Sequence, residues 1–585
     1  MSEIPEKYTI DNAKNDIQNL QGQNSYDFQE IKRLDKVINE YNKRVSQTIN
    51  MNNQINKKIQ NDYEKIKKII IDENVSITLD KKIDDNFLKV TNKINNISSE
   101  LGNVAKYNNV VNLEKLGLIS EEVNYNQSTK KYDMTDISII LQTSINSNYD
   151  TIIFPKGNYL IENEVIINKP LTIIGNGCNI YCSPSSSKVK RIFTINSSNV
   201  SINNFNFHSE LVYENIAVSH VDANCTTSNV MAISIVGLDD NQKNIDVLNC
   251  YFEKLTYGVS IWNSKNSLLS NLKANECYFP VYTGHYTENI TIRDSQLSAP
   301  TETDVYGHTL YLASGSKNVY VDNCILKSIG KGTSNIIKTG SNEGDANNIV
   351  VNNCYIECST NASLFYIDND LMLNNCTIKV YSPNGYARLL QLLEGSYFKC
   401  YGCDIEIDSF ERYTQNLNIK SGSILFENCK LKVKNSYNSY CTMGFISGVD
   451  DFVFKNCDIN FDMDRGFNIF YKDFKSVSIF NCNITTTKNI TCGLYNKTDI
   501  ATYTQTSSPV LKMYNTIIKN NNPDSMNGSC FFMNIVKDDT TTPICELSNV
   551  TLYKYSGTTG GNTGKLFMGN AESQYLKNNV IDLTP

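Results

Sequence analysis

Two acidic residues in adjacent repeats of the chain are the first candidates for chemistry. Asp368 ends the segment Phe365-Tyr-Ile-Asp368, and Glu394 ends Leu392-Leu-Glu394 at nearly the same place one repeat later. Paired carboxyl groups can hydrolyse a glycosidic bond, because one protonates the leaving oxygen while the other attacks the sugar or activates water. We predict that Asp368 and Glu394 form such a pair. The alternative is that these positions are turns, which favour Asp in any case.

A second group of candidates lies in and around the insertion Ser298–His308. Glu302, Asp304 and His308 belong to it, and insertions on one edge of a repeat fold are common places for binding grooves. His308 can act as an acid or base near neutral pH. Aromatic faces suit sugar stacking, although exposed tyrosines are common in a chain with 35 of them. The predicted sugar-binding residues are Trp262, Tyr282, His285 and Tyr311, with Tyr286 beside them.

A short repeated motif positions these candidates. An Asn-Cys pair follows an alternating apolar segment in each repeat, and Gly402-Cys403 fills the one double interval. Repeats of about 22–34 residues with apolar residues at every second position indicate stacked β-units that cannot bury their apolar face alone. We predict an all-β fold, a right-handed parallel β-helix (solenoid) with one rung per repeat. The pairs are Asn323-Cys324, Asn353-Cys354, Asn375-Cys376, Asn428-Cys429, Asn456-Cys457 and Asn481-Cys482.

The Asn-Cys pair has a physical explanation. Asn tolerates a left-handed backbone, and its side chain can hydrogen-bond to the Asn one rung away. Cys is small and easily buried, so a stack of thiols makes a thin core column. All 18 Cys follow residue 177. We therefore predict reduced, buried thiols rather than disulfides, and neither a metal site nor a cofactor.

Charged residues three positions beyond the repeated Cys alternate in sign from one rung to the next. Opposite charges on neighbouring strands stabilise the stack slightly, whereas like charges would oppose it. We predict a surface ladder of ion pairs here, which removes its carboxylates from the catalytic candidates. Its members are Lys327, Glu357, Lys379, Glu406 and Lys432.

The composition excludes several classes of function. A net charge of -7 argues against nucleic-acid binding, for which a basic patch is expected. The N-terminus, Met1-Ser-Glu-Ile-Pro-Glu-Lys, has no basic and apolar signal segment, and no run of about 18 apolar residues occurs. We expect synthesis in a reducing cytoplasm, without signal-peptide export and without membrane insertion.

The N-terminal region carries heptads. Residues 8–70 place Ile10 at position a, and Ile at both a and d near Ile55–Ile69 favours three strands over two. The alternative is a pair of amphipathic helices packed on the same chain. The predicted domains are a coiled-coil stalk at 1–72, a second short coiled coil and linker at 73–131, a capping helix and first strands at 132–177, the β-helix body at 178–555 and a C-terminal cap at 556–585.

The start of the β-helix region resembles a known family. A helix opening near Asp133 is followed by Phe154-Pro-Lys-Gly-Asn-Tyr159 and then by Lys169-Pro-Leu-Thr-Ile-Ile-Gly-Asn-Gly177. This arrangement closely resembles the opening of pectate-lyase-like β-helices, over about residues 132–555. The organisation is similar to that of bacteriophage tailspikes and receptor-binding tail proteins. That resemblance implies a helix that plugs the N-terminal end of the β-helix and a trimerising attachment region before it.

The resemblance also implies a function. It predicts a homotrimeric tail spike or fibre of the virion, made in the host cytoplasm, that attaches to other tail or virion proteins through its N-terminal region. Its ligand would be a host cell-surface polysaccharide, which it binds and cleaves as a glycosidase. The alternatives are a non-catalytic receptor-binding or structural tail appendage and, more distantly, a bacterial polysaccharide-degrading enzyme. Polygalacturonase and pectate lyase activities are disfavoured, because only Tyr306-Gly-His308 approaches the motifs of the former and the scattered Arg residues lack the pattern of the latter.

Overall fold

The part of the chain from residue 110 onwards is described, with gaps, by a computed structural model. The predicted coiled coils at 1–72 and in the first part of 73–131 lie outside the described residues. The described ranges are 110–184, 189–210, 229–237, 243–284, 286–299, 307–313, 315–329, 335–340, 346–359, 363–382, 388–393, 395–409, 417–419, 422–435, 441–442, 449–463, 467–468, 474–486, 490–491, 511–520, 545–553 and 575–582.

Parallel strands stack along the chain in three sheets, and the rungs described between residues 165 and 435 cross all three in turn. A strand of sheet 3 leads into a strand of sheet 1, which turns at the repeated Asn into a strand of sheet 2. Each strand pairs in parallel with the equivalent strand one rung away, for example Lys317–Asp322 with Ala346–Asn352. The predicted parallel β-helix is therefore confirmed. Its right hand stays a prediction.

Sheets 1 and 2 meet at the Asn corner. Sheet 1 contains Val110–Asn112, Thr151–Ile153, Lys243–Leu248, Lys265–Ser270, Glu288–Arg293, Lys317–Asp322, Ala346–Asn352, Asn369–Asn374, Ser396–Tyr401, Gly422–Glu427, Val449–Lys455 and Phe474–Phe480. Sheet 2 contains Asn158–Leu160, Tyr251–Glu253, Lys273–Asn275, Gln296–Ser298, Ile325–Ser328, Tyr355–Cys358, Thr377–Ser382, Asp404–Ser409, Lys430–Asn435, Asp458–Met463 and Asn483–Thr486. Long strands that run through the corner belong to both: Leu171–Tyr181, Val200–His208, Leu511–Asn520, Cys545–Tyr553 and Tyr575–Asp582.

Sheet 3 forms the remaining side of the coil. Its strands are Val165–Ile167, Lys190–Ile195, Val230–Val236, Tyr257–Trp262, Phe279–Gly284, His308–Leu312, Asn335–Thr339, Ser363–Ile367, Arg388–Leu392 and Leu417–Ile419. Three further short strands, Cys441–Thr442, Phe467–Asn468 and Ile490–Thr491, pair with one another in parallel.

The core is one continuous column of apolar side chains between the three sheets. Alternate residues of each strand point inwards, as the period of two requires. Phenylalanines stack along it from rung to rung; the rings of Phe207 and Phe252 lie 5.5 Å apart and nearly parallel. Burying each such ring contributes about 1.5–3 kcal/mol, so the stack is a main source of stability.

The Asn corner has the predicted geometry. Corner residues adopt a positive φ, 52° at Asn323 and 54° at Asn456, which Asn tolerates better than most residues. Their side-chain amides bond from rung to rung, as from Asn481 Nδ2 to Asn456 Oδ1 at 3.0 Å. Gly402 takes the corner at φ 62°, and a Cβ there would lie 2.7 Å from Asn375 Oδ1. The ladder therefore fixes the register of each rung against the next at the corner between sheets 1 and 2.

A second asparagine ladder, which was not predicted, runs along the start of sheet 1. Asn318 has a φ of 54°, donates to Asn289 Oδ1 at 3.0 Å and accepts from Asn348 Nδ2 at 2.8 Å. Each of these residues precedes a corner residue by five positions, and this spacing is the signal that could have revealed it.

The cysteine column is confirmed. Next to the corner, each described thiol is free and buried, and its sulfur bonds to a backbone carbonyl, as Cys457 Sγ does to Lys455 O at 3.3 Å. Burial of this kind makes these residues structural rather than reactive.

Both ends of the described region depart in detail from the predicted layout. The linker contributes to the coil, because Val110–Asn112 pairs with Thr151–Ile153 and Leu113, at the start of the 3-10 turn Leu113–Leu116, is fully buried. An antiparallel hairpin, Tyr125–Asn126 with Lys131–Tyr132, follows. At the other end, Tyr575–Asp582 adds a strand beyond residue 555.

The predicted helix is present at Ser138–Asn146. Leu141 and Ile145 are buried in the common core, whereas Ile139 is exposed. The N-cap residue, Ile137, has no side-chain capping bond, but Asp136 Oδ1 accepts the backbone N–H of Ser138, the first helical residue, at 3.0 Å. Gln142 joins the helix to the backbone of Ile166 in sheet 3 through both its amide atoms.

The charge ladder on sheet 2 is also confirmed. The register places Lys327, Glu357, Lys379, Glu406 and Lys432 side by side on successive rungs. Lys327 Nζ lies 2.9 Å from Glu357 Oε2, and Lys432 Nζ lies 3.4 Å from Glu406 Oε1. A hydrogen bond from Lys434 lowers the pKa of Glu406. These carboxylates therefore have a structural role, the pairing of neighbouring rungs.

The corner makes a stability prediction. Asn456 donates to Asn428 Oδ1 at 3.1 Å and accepts from Asn481, at a φ of 54°. Asn456→Ala and Asn456→Gly both remove the amide, but only Ala carries the strain of a left-handed backbone. We expect Ala to lower the free energy of unfolding by about 1 kcal/mol more than Gly, measured by urea denaturation. Equal losses would contradict strain relief as the reason for Asn at the corner.

Candidate functional site

The outer face of sheet 3 collects most of the predicted binding residues. Strand register places Ser260, Tyr282, Tyr311, Lys338 and Tyr366 in one outward column, one per rung. Neighbouring strands are about 4.8 Å apart, so the column from Tyr282 to Tyr366 spans about 14 Å. Inward-facing residues alternate with it, which fixes the direction of each ring.

The rings on this face pack against one another. Trp262 and Tyr282 have centroids 5.8 Å apart, and Tyr282 meets Tyr311 edge-on at 5.2 Å. Tyr282 and Tyr311 are only 7% and 4% exposed, whereas Trp262 is 36% exposed and Tyr286, two residues past the next strand, 65%. We call the following group the aromatic patch: Tyr257, Trp262, Phe279, Tyr282, His308 and Tyr311.

His308 lies inside the patch rather than on an open surface. It is 5% exposed, and its ring contacts Phe279 and Tyr311 at 5.8 and 5.3 Å between centroids. Its Nδ1 accepts the backbone N–H of Asn335 at 3.2 Å. That bond occupies Nδ1, so any proton transfer must use Nε2. The catalytic role of His308 stays a prediction.

Lys338 and Tyr366 extend the patch along the same column. The Lys338 ammonium lies over the rings of Tyr311 and Tyr366, 5.0 and 5.4 Å from their centroids. Burial lowers the pKa of Lys338 and raises the pKa of Tyr366; the Asp368 carboxylate raises the latter further. A cation between two ring faces is held electrostatically by both.

An acidic turn, residues 368–370, follows Tyr366 on the same rung. Asp368 links Ser363–Ile367 of sheet 3 to Asn369–Asn374 of sheet 1; the turn includes Asn369 and Asp370 at the start of that strand, and Asn369 has a φ of 103°. The backbone N–H groups of Asp368 and Asn369 donate to the hydroxyls of Thr339 and Ser396, each at 2.7 Å, on the two flanking rungs. A strained turn pinned on both sides holds its side chains in fixed positions.

The two carboxyl groups of the turn have different surroundings. The Asp368 side chain lies against Gly340, where a Cβ would come within 2.2 Å of the Asp368 Cβ. Burial raises the pKa of Asp370, and Lys399 only partly offsets this. Its buried Oδ1 has no hydrogen-bond partner among the described residues. Different environments for neighbouring carboxyls are what acid and base roles require.

The structure describes some of the predicted site residues and not others. It brings Trp262, Tyr282, Tyr311 and His308 together and places Asp368 two residues beyond Tyr366. Ile367 pairs with Leu392, so Asp368 is level with Leu393 in the register. The predicted residues Glu394, Asp304 and His285 lie outside the described residues, and their roles stay predictions.

Sequence reasoning missed three members of this site. Lys338 and Tyr366 follow Tyr311 at one-repeat intervals, which could have placed them in its column. Asp370 was visible only as one more acidic turn residue, because nothing in the sequence indicates its burial.

A concavity of about 460 Å³ lies along the Asn corner, lined among others by Asn271, Asp294 and Asn323. Its amides already bond one another, as Asn323 Nδ2 does to Asp294 Oδ1 at 2.8 Å. The side chains that line the concavity therefore take part in the corner ladder.

A polar network on sheet 2 is another feature that was not predicted. His208 Nδ1 lies 2.9 Å from Glu253 Oε2, the Tyr251 hydroxyl donates to Glu253 Oε1 at 3.1 Å, and Tyr181 stacks on the imidazole at 5.0 Å. Burial lowers the pKa of His208 although Glu253 opposes that shift.

In the described part of the chain, no helix has the length and apolarity of a membrane-spanning segment. Within the same residues, no three His, Cys, Asp or Glu side chains converge to hold a metal ion.

The comparisons with known proteins concern the backbone fold. No protein-family model matches the chain, and no curated protein is similar to it in sequence. The surface adhesin PfbA of Streptococcus pneumoniae has a TM-score of 0.37 and 11% identity, covering 65% of this chain and 91% of the adhesin. The catalytic domain of a GH87 α-1,3-glucanase has a TM-score of 0.37 and 13% identity, covering 67% and 69%. ORF18 of Geobacillus virus E2 has a TM-score of 0.30 and 10% identity, covering 68% and 64%.

Similarity at this level carries no argument about ligand or reaction. The strand pairing itself defines the class, a parallel β-solenoid. What the chain binds must be argued from its own residues.

The His208 network makes a pH prediction. In the unfolded chain His208 titrates near 6.5, whereas the folded protein lowers its pKa. Below that pH the unfolded chain binds a proton that the folded state resists, so stability falls as pH falls. His208→Gln should make the loss of Tm between pH 7.5 and 5.5 smaller. Glu253→Gln removes the group that opposes the shift and should make it larger. Parallel Tm curves for all three proteins would contradict this role.

Proposed function

We propose that this chain is a receptor-binding protein of the bacteriophage tailspike kind, which binds a host cell-surface polysaccharide on the outer face of sheet 3. One observation carries the proposal: Trp262 presents an exposed indole at the edge of a rigid aromatic patch. Pyranose rings stack on such faces, and the packed rings behind Trp262 keep it in place. The sequence resemblance of residues 132–555 to tailspike β-helices supports the same assignment.

The wider biological setting follows from this proposal. The N-terminal heptads favour a homotrimer, in which three parallel sites convert weak sugar binding into firm attachment. Residues 1–72 would then connect the protein to other tail or virion proteins, and the protein would reside in the virion tail.

A second candidate function, hydrolysis of the bound polysaccharide, is favoured by the acidic turn. Asp370, whose pKa is raised, would donate its proton to the glycosidic oxygen as the bond to the anomeric carbon breaks. Asp368 would attack that carbon or take a proton from the attacking water. Glu394, the partner predicted from the sequence, would serve as an alternative base one rung further on.

Binding is tested by changing the exposed indole. Trp262→Ala should weaken binding to host capsular or wall polysaccharide at least tenfold, about 1.4 kcal/mol, because the stacking face is lost. The matched control is Tyr320→Ala, since Tyr320 has the same exposed fraction, 36%, but lies on sheet 1. Affinity electrophoresis measures both variants. Equal affinities for the two variants would move the site away from sheet 3.

Hydrolysis is tested by sizing the polysaccharide after incubation. Discrete fragments should appear with the unchanged protein and disappear with Asp368→Asn or Asp370→Asn, while Glu406→Gln in the charge ladder should leave cleavage intact. Asp370→Asn should also raise Tm at pH 7, because ionising Asp370 costs more in the folded state than in the unfolded chain. Fragments that survive both Asn variants would exclude the acidic turn, and binding without fragments would leave a non-catalytic receptor-binding protein.

A further inference from the structure

Lys338 is half-buried between two tyrosine rings, unlike the lysines of the described region that form ion pairs. Several of them pair with a glutamate on a neighbouring rung, such as Lys254 with Glu210 at 3.1 Å and Lys455 with Glu427 at 2.8 Å. In the described part of the chain, Lys338 forms no ion pair with any carboxylate. Its ammonium lies between two tyrosine rings.

The positive charge of Lys338 is not neutralised by any described residue. A half-buried cation loses hydration, and two ring faces hold it in position without neutralising its charge. Burial accordingly lowers the pKa of Lys338. An anion placed beside the ammonium would supply the missing charge and a charge-assisted hydrogen bond.

The neighbours of Lys338 define what else the ligand carries. Lys338 lies one rung from Tyr311 and one from Tyr366, in the column that leads back to Tyr282 and Trp262. A ligand that reaches from the exposed indole to the ammonium must therefore present stackable rings and an anionic group on the same molecule.

We propose that Lys338 binds an anionic substituent of the glycan, a carboxylate or a phosphate, so that the ligand of sheet 3 is an acidic polysaccharide; this inference rests on the proposed function. Lys338 is then the residue that selects acidic over neutral chains. A lysine ammonium is a compact point charge and accepts either anion, so the substituent is assigned by experiment.

The experiment uses the full-length protein and a panel of immobilised polymers: polyuronates, polyol-phosphate polymers, neutral glucans and neutral galactans. Each acidic polymer that binds is compared with its neutralised form, obtained by reducing carboxylates to alcohols or by removing phosphate. The variants are Lys338→Gln and Lys338→Met. The matched control is Lys273→Gln, because Lys273 also lies over a tyrosine ring, 5.7 Å from that of Tyr251, but on sheet 2.

The expected result has three parts. Binding is confined to acidic polymers, falls at least tenfold when their charge is removed, and falls by a similar factor in both Lys338 variants but not in Lys273→Gln. Loss on carboxyl reduction assigns a carboxylate, and loss on dephosphorylation assigns a phosphate. Lys338→Met keeps the aliphatic stem without the charge, so its Tm should equal or exceed that of the unchanged protein, which excludes unfolding as the cause.

Two other outcomes would overturn the inference and are distinguishable. Binding of neutral polymers as tightly as acidic ones, or unchanged affinity in Lys338→Gln, removes the role of Lys338 and leaves the proposed glycan binding intact. Binding of no polymer in the panel, by a protein with the expected Tm, contradicts the proposed function and the inference together.

Discussion

The rung-to-rung register is the constraint on which every other feature of this structure depends. Side chains alternate between the two faces of a strand, so a slip of one residue would turn the core column outwards. The asparagine corner prevents such a slip, because each amide bonds to its equivalent one rung away and the backbone there is left-handed. The buried thiol that follows fixes the inward side of the same corner.

Once the register is fixed, the position of each residue in its strand decides which side chains lie side by side on the surface. On sheet 2 it brings Lys327 against Glu357, and the charges cancel within the stack. On sheet 3 the same register aligns Tyr311, Lys338 and Tyr366, and the charge of the lysine is left without a carboxylate in the described residues. The two faces therefore use one scaffold differently: one is neutralised internally, and the other presents a cation among rings.

The features that were predictable from the sequence are those at a fixed number of residues from the Asn corner. The Asn-Cys motif indicated the solenoid, the thiol column and the charge ladder, because each is counted from the corner in residues. Sheet 3 follows loops of different lengths, so its register cannot be counted directly from the corner. Lys338 and Tyr366 do follow Tyr311 at one-repeat intervals, but this signal is weaker than a repeated motif and was missed. The raised pKa of Asp370 depends on burial, which residue identity does not encode. Asp368 was identified as a turn residue, but the sequence did not show that its side chain lies against Gly340 on the rung before.

Two polar groups lack a partner of the opposite kind among the described residues: the Lys338 ammonium on sheet 3 and Asp370 Oδ1 in the acidic turn. Both are consistent with a single binding site. A folded chain gains nothing from a half-buried ammonium without a counter-ion, nor from a carboxyl oxygen buried without a donor, as Asp370 Oδ1 is among the described residues. An acidic sugar bound at Lys338 would neutralise the cation. That sugar would lie one rung from the acidic turn, where burial already raises the pKa of Asp370. A raised pKa favours the protonated carboxyl of Asp370, which is the state that a general acid needs before it can donate, so the cation that would bind an acidic sugar and the candidate acid lie close together in the stack.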